Sequence, residues 1–195
     1  MKNIYLYYDM TISRDGKIVK RWKKTECHSF VKQFVGLLMK KMCEQYVVLT
    51  DTSNVSRTIG HSDWYGNFYV TAPIYIDTYG SVVGTGTNAV SINDYNLQTK
   101  ITHGTGSGQL QYSVETFGPP TTVSSGSSFV ITRVFTNNSG LPITINEIGL
   151  VAQCYNGTQQ FTYNFLIARD LLITSPPTLI NSESLTLNYT ITTVI

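Results

Sequence analysis

The sequence is short of charge. Of 195 residues only 13% are Asp, Glu, Lys or Arg, about half the usual share, and the formal net charge is +2. A near-neutral total argues against a protein that holds nucleic acid across a basic face. Cysteine is scarce too. Cys27, Cys43 and Cys154 are widely spaced and form no CxxC pair, which excludes a disulfide framework or a zinc arrangement. They predict reduced thiols in a protein made and kept in the cytosol. Long apolar runs are missing. Asp9 ends the run Ile4-Tyr5-Leu6-Tyr7-Tyr8 before a signal-peptide core can form. The stretch from Phe30 to Val48 is interrupted by Lys32, Lys40, Lys41 and Glu44 and cannot span a bilayer. What is present, 42% hydrophobic residues and thirteen tyrosines, supplies a core and excludes intrinsic disorder. The length fits one domain, or a domain with a small appendage.

Charge is also unevenly placed. Residues 1–50 carry ten bases and four acids, a net of +6, whereas residues 51–195 carry four bases and eight acids, a net of −4. The chain divides on this basis into a basic segment, 1–50, and a Ser/Thr/Asn/Gly-rich segment, 51–195. In the first, Ile4, Leu6, Tyr8, Met10 and Ile12 alternate with mostly polar neighbours, the period of a half-buried strand. Asp15-Gly16 is a hairpin turn signal, and the return strand contains the run Lys20-Arg21-Trp22-Lys23-Lys24. Ser29 then caps an amphipathic helix. Its expected apolar arc is Phe30, Val31, Phe34, Val35, Leu38 and Met42, with Gln33, Gly36, Lys40 and Glu44 on the polar side.

From Thr50 onward the period is that of strands. Phe68 to Ile76, Leu110 to Val114, Phe129 to Phe135 (with Arg133 on the apolar phase), Phe161 to Ile167 and Leu185 to Ile191 each alternate. Pro73 marks an edge or a bulge. The apolar phase switches between Ile143/Ile145 and Ile148/Leu150, which predicts a bulge near Asn146-Glu147. Ser91 to Asp94 resembles a helix cap and predicts one short helical turn at Asp94 to Leu97. Strands punctuated by Gly, Pro, Asn and Ser clusters predict a mainly β protein. The expected form is an antiparallel, jelly-roll-like β-sandwich preceded by a β-hairpin and one α-helix.

Reactive chemistry is thin. Gly84-Thr85-Gly86-Thr87 and Gly104 to Gly108 lack the Lys or the following helix of a phosphate cradle and read as turns. His61, Asp63 and His103 are metal-ligand types without ligand spacing, and His28 stands apart. No GxSxG or HExxH motif occurs, and acids are too sparse to nominate a hydrolytic pair. No enzyme, cofactor or metal is expected. Arg169-Asp170 reads as a local ion pair at a strand end. Partner contact is assigned to Trp64 and Tyr65, within the aromatic tip His61 to Gly66, to Tyr79, and to the basic Lys20, Arg21, Lys23 and Lys24. The alternatives are an aromatic tip folded back over the sandwich and a solvated basic strand.

The segment from Val83 to Leu97, with its GTGT turn, Ser91, Asp94 and Leu97, resembles a recurring pattern in structural proteins of tailed phages and related viruses. Phe129 to Phe135, Ile145 to Leu150, Phe165 to Asp170 and Leu185 to Ile191 complete the resemblance in order over roughly residues 80–195. It implies a virion component of decoration, fibre-base or tail-associated type, assembled in host cytoplasm and brought together by contacts with its own copies and with capsid or tail proteins. It implies no catalytic residues. The other reading is a carbohydrate-binding module using Trp64, Tyr65 and Tyr79 to contact glycans.

Overall fold

The structure, a computed structural model, describes residues 3–27, 30–43, 45–60, 68–123, 126–156, 161–172 and 174–194. In chain order these form β1 (Asn3–Arg14), β2 (Lys17–Glu26), α1 (Lys32–Cys43), β3 (Val47–Thr50), β4 (Ser56–Ile59) and β5 (Gly80–Gly84). There follow β6 (Gln111–Tyr112), β7 (Thr116–Phe117), β8 (Thr121–Val123), β9 (Gly126–Thr136) and β10 (Ile143–Thr144). The last are β11 (Glu147–Asn156), β12 (Phe161–Leu171), β13 (Thr178–Leu179) and β14 (Ser184–Val194). The protein is mainly β, and every pairing between these strands is antiparallel.

Two sheets carry the core. The larger runs β2-β1-β14-β9-β6, with β7 and β8 also paired to β9; the smaller runs β12-β11-β5. β14 lies between β1 and β9 and matches each over eleven consecutive Cα partners. Alternation explains the fit. Leu6, Met10 and Ile12 of β1, Leu185, Leu187 and Tyr189 of β14, and Ile131 and Phe135 of β9 are all buried on one side. β12 and β11 close the same hydrophobic cluster with Phe165, Ile167, Ile148 and Leu150. Asp15 (φ 50°) and Gly16 (φ 72°) turn β1 into β2 with both centres left-handed, as a tight two-residue connection requires. The segments 1–50 and 51–195 are continuous at their junction, because β3 pairs β4 across it.

Several expectations need correction. Phe68 to Ile76 is not a strand: only Tyr69 bridges, to Gln153, and the chain turns at Ile74-Tyr75. Its carbonyls at Pro73 and Ile76 accept instead from Arg133, so they are drawn out of any ladder. No helical turn forms at Asp94 to Leu97. The cap bonds exist, with Ser91 N–H donating to Asp94 Oδ2 and Asn93 N–H to Ser91 Oγ, but Asp94 is also pulled outward by an arginine. The phase switch at Ile145-Asn146 is a break between β10 and β11. The register shift falls later, at Leu150/Val151.

The helix is rotated from the expected orientation: Val31 is buried and Phe30 and Phe34 pack against the core as expected, but Val35 and Met42 of the arc are not covered. Gln33, Leu37 and Lys40 are its buried residues, while Val35, Met39 and Met42 face solvent. Gln33 Nε2 donates to the Thr50 carbonyl at 3.4 Å, and Gly36 lies so close to Leu49 that a Cβ there would meet Leu49 Cδ2 at 2.5 Å. The only small residue of the expected polar stripe thus lets that stripe pack inward. Ser29 and Glu44, part of the same expectation, lie outside the described residues.

Leu187 is central in the middle strand and fully buried. Leu187→Ala is expected to lower unfolding free energy by about 2–5 kcal/mol in denaturant titration. Ile18→Ala, on exposed β2, should change it by less than about 0.5 kcal/mol.

Candidate functional site

The densest polar constellation is built from the motif residues themselves. Glu147, at the start of β11, has no exposure. Its Oε1 accepts from Gly86 N–H (3.1 Å) and Thr99 N–H (2.7 Å), and its Oε2 from Gln98 N–H (3.0 Å) and Arg169 Nε (2.8 Å). Arg169, near the end of β12, completes its fork on Asp94 Oδ2 at 2.8 Å and the Asn88 carbonyl at 3.0 Å. The glycines follow from this. A Cβ at Gly84 would sit 2.6 Å from both Glu147 Oε1 and the Thr99 carbonyl, and one at Gly86 would run into Glu147 Oε1 and Gln98. Gly149 likewise makes room for Leu97, whose Cδ2 lies 2.9 Å from a built Cβ. The GTGT turn, Asp94, Leu97, Glu147, Gly149 and Arg169 are therefore one packed unit. Arg169 pairs with Asp94 and Glu147; the expected local partnership with Asp170 is replaced, because neighbours on a strand point to opposite faces.

A second buried charge organises the other end of the core. Arg133 has no exposure. It donates to the carbonyls of Ser113, Tyr79, Ser81, Pro73 and Ile76, and its guanidinium sits 4.8 Å from the Tyr112 ring centre. Desolvation lowers its pKa, opposed chiefly by Glu115. Glu115 accepts from Ser81 N–H at 3.0 and 2.9 Å and from the Ser81 hydroxyl. Burial pushes its carboxyl up to about 6, the Ser81 bonds and Arg133 pulling the other way.

These arrangements hold loops in place. The Glu147 oxygens are saturated by donors, and Arg169 has Nε and both terminal nitrogens engaged. His103 accepts from Tyr112 N–H through Nδ1 at 3.1 Å; His28, His61 and Asp63 lie outside the described residues. Among the described residues no group of three or more His, Cys, Asp or Glu could hold a metal ion. A polar cleft of about 570 Å³, lined by Asn54, Asn88, Asp94, Tyr95 and Gln98, opens beside Arg169.

Comparison with protein-family models, curated proteins and solved structures finds no match. The residues assigned to partner contact separate as follows. Tyr79 is only 8% exposed, its ring set edge-on to Tyr69 at 5.9 Å, so burial removes it from a contact surface. Trp64 and Tyr65 lie outside the described residues. Lys20, Arg21, Lys23 and Lys24 are exposed together on β2, the terminal strand of the larger sheet. The sequence reading missed Glu147 and Glu115 as organisers. The signal was available: in so charge-poor a chain, an ionic residue on an apolar strand phase, as at Arg133 and Arg169, is buried and needs a partner.

Two measurements test this account. Arg169→Leu leaves the Glu147 carboxylate buried without its cation and is expected to cost about 3–5 kcal/mol of unfolding free energy. The Glu115 carboxyl titrates near 6 in the folded chain against an ordinary value of 4.5. The folded state therefore binds more protons in that window, and stability falls as pH rises through it. Across it, the wild type should lose about 2 kcal/mol relative to Glu115→Gln, read from denaturation midpoints at each pH.

Proposed function

We propose that this chain is a non-enzymatic structural component of a virion, folded as a jelly-roll-like sandwich. It acts by self-association and by contacts with capsid or tail proteins. The observation that carries the reading is the uncovered apolar stripe on α1. Val35 and Met42 are 63% and 75% exposed, and with Met39 they form an i, i+4, i+7 apolar stripe. Tyr46 and Val48 are exposed just beyond it. A stripe of this kind without charge on it is normally covered. The occupant that fits is a second copy, because two such stripes are self-complementary about a two-fold axis. The resemblance of the segments over residues 80–195 to viral structural proteins supports the setting. Carbohydrate binding is the weaker reading on this geometry, since burial of Tyr79 removes one of its three aromatic contacts.

Sedimentation analysis checks the self-association. The wild type should show a concentration-dependent dimer or larger assembly, and Val35→Ser/Met39→Ser/Met42→Ser should sediment as a folded monomer. A wild type that stays monomeric at every concentration would count against the proposal.

A further inference from the structure

β2 poses a different problem from the helix. It is the terminal strand of the larger sheet, ten residues long, and all of it is exposed except half-buried Trp22. It carries five cations, Lys17, Lys20, Arg21, Lys23 and Lys24, against the single acid Glu26. Lysine on an edge strand repels another copy of the same strand, so like does not pair with like here. Nor do the described acids of residues 51–195 in a second copy offer a counter-surface, and among the described residues of 1–50 outside β2 the exposed Asp15 stands alone at the hairpin tip beside Arg14 and Lys17. The described acids of residues 51–195 are turned inward or neutralised. Asp51, Asp77 and Glu183 pair with Arg57, Lys100 and Arg14, Asp94 and Glu147 with Arg169, and Glu115 and Asp170 are buried.

The edge is nonetheless more than a guarded one. Ile18 and Val19, 55% and 52% exposed, put a β-branched pair beside the cations, which protection from pairing does not require. Nucleic acid is disfavoured by the rings. The Trp22 ring is covered by Lys20 Nζ, 4.4 Å from its centre, and its Nε1 donates to the Ser175 carbonyl at 2.7 Å. Tyr7 is covered by Lys24 Nζ at 4.6 Å. Faces already holding ammonium groups do not stack bases. Among the described residues no strand other than β1 pairs with β2; its outer edge is flanked by cations and has an apolar pair near one end, and the Lys23 carbonyl accepts from Thr25 Oγ1 at 3.0 Å.

We infer that the free edge of β2 is a docking strip for an extended, acidic segment of a different protein. That segment adds as a further strand, its carboxylates on the basic side chains and an apolar residue against Ile18-Val19. This rests on the assembly reading and assigns its heterotypic contact to β2, leaving the helix stripe to contacts between copies.

The test uses the full chain and a fluorescein-labelled ten-residue peptide of alternating Glu and Thr with Val at one end. Its charge-inverted Lys counterpart and a single-stranded oligothymidylate are the controls. Fluorescence anisotropy should show binding of the acidic peptide that weakens as salt is raised, and no binding of the Lys peptide. Lys20→Glu/Arg21→Glu/Lys23→Glu/Lys24→Glu should weaken it by at least about tenfold, and the neutral pair Lys20→Gln/Lys24→Gln by less. Amide hydrogen exchange should slow in residues 17–26 when the acidic peptide is bound. The inference is overturned by equal or tighter binding of the oligothymidylate, by peptide binding that leaves those amides unprotected, by indifference to charge reversal, or by no binding at all. Self-association that persists when peptide binding fails leaves the assembly reading standing without its heterotypic site. Peptide binding by a strictly monomeric chain sinks the self-association reading and leaves the β2 strip standing.

Discussion

A carboxylate sealed from water must be neutralised and hydrogen-bonded where it sits, and Glu147 meets that requirement with three backbone N–H groups and one guanidinium. Much else follows from this. The loop between β5 and Lys100 has to come back over β11 to deliver the N–H groups, which is why Gly84 and Gly86 stand where a side chain would collide. Arg169 must leave β12 pointing at the same spot, and its remaining donors then fix Asp94 and the Asn88 carbonyl. A long irregular stretch is thereby given a defined path without regular secondary structure. Removing one partner is more damaging than the net worth of the pair, because the other is left charged and dry.

The same economy sets the character of the surface. With so few acids, most of those described are used in the interior or in ion pairs, and hydroxyl and amide groups make many of the polar contacts between strands. The hydroxyls pair across strands, as Thr132 does with Asn188 and Thr144 with Thr178. Contacts of this type depend little on salt. Against such a background, the cations of β2 are the one concentrated field among the described residues. A single basic strip on a nearly neutral body gives a partner both a location and a direction of approach.

The proposed self-contact and the proposed partner contact use chemically distinct places. The helix stripe is apolar and uncharged, suited to meeting its own image. The β2 edge is cationic, and it repels its own image. Because β1 lies between β2 and β14, and α1 packs on β12 with Val31 N–H bonded to the Ile167 carbonyl, both surfaces are anchored directly to the core sheets.

The reading of the sequence went furthest where structure is local. β1, β9, β12 and β14 were legible because alternation of side chains is a property of the strand itself, and the Asp15-Gly16 turn because its backbone angles demand those residues. Phe68 to Ile76 misled for a stated reason: its alternation is genuine, but Arg133 takes its carbonyls, and nothing within the segment announces that. The helix was read rightly at Phe30, Val31 and Phe34 and wrongly at Val35 and Met42, because periodicity does not fix which edge of a wide arc is covered, and contact with Leu49 at Gly36 decided it. What the amino-acid order determined alone was the strand period, the turns and the shortage of charge. Which ionic groups meet, joined across 22 and 75 residues at Glu147–Arg169 and Asp94–Arg169, was decided only by tertiary structure. Those distances close only through the order of strands in the sheets, and local pattern does not encode that order.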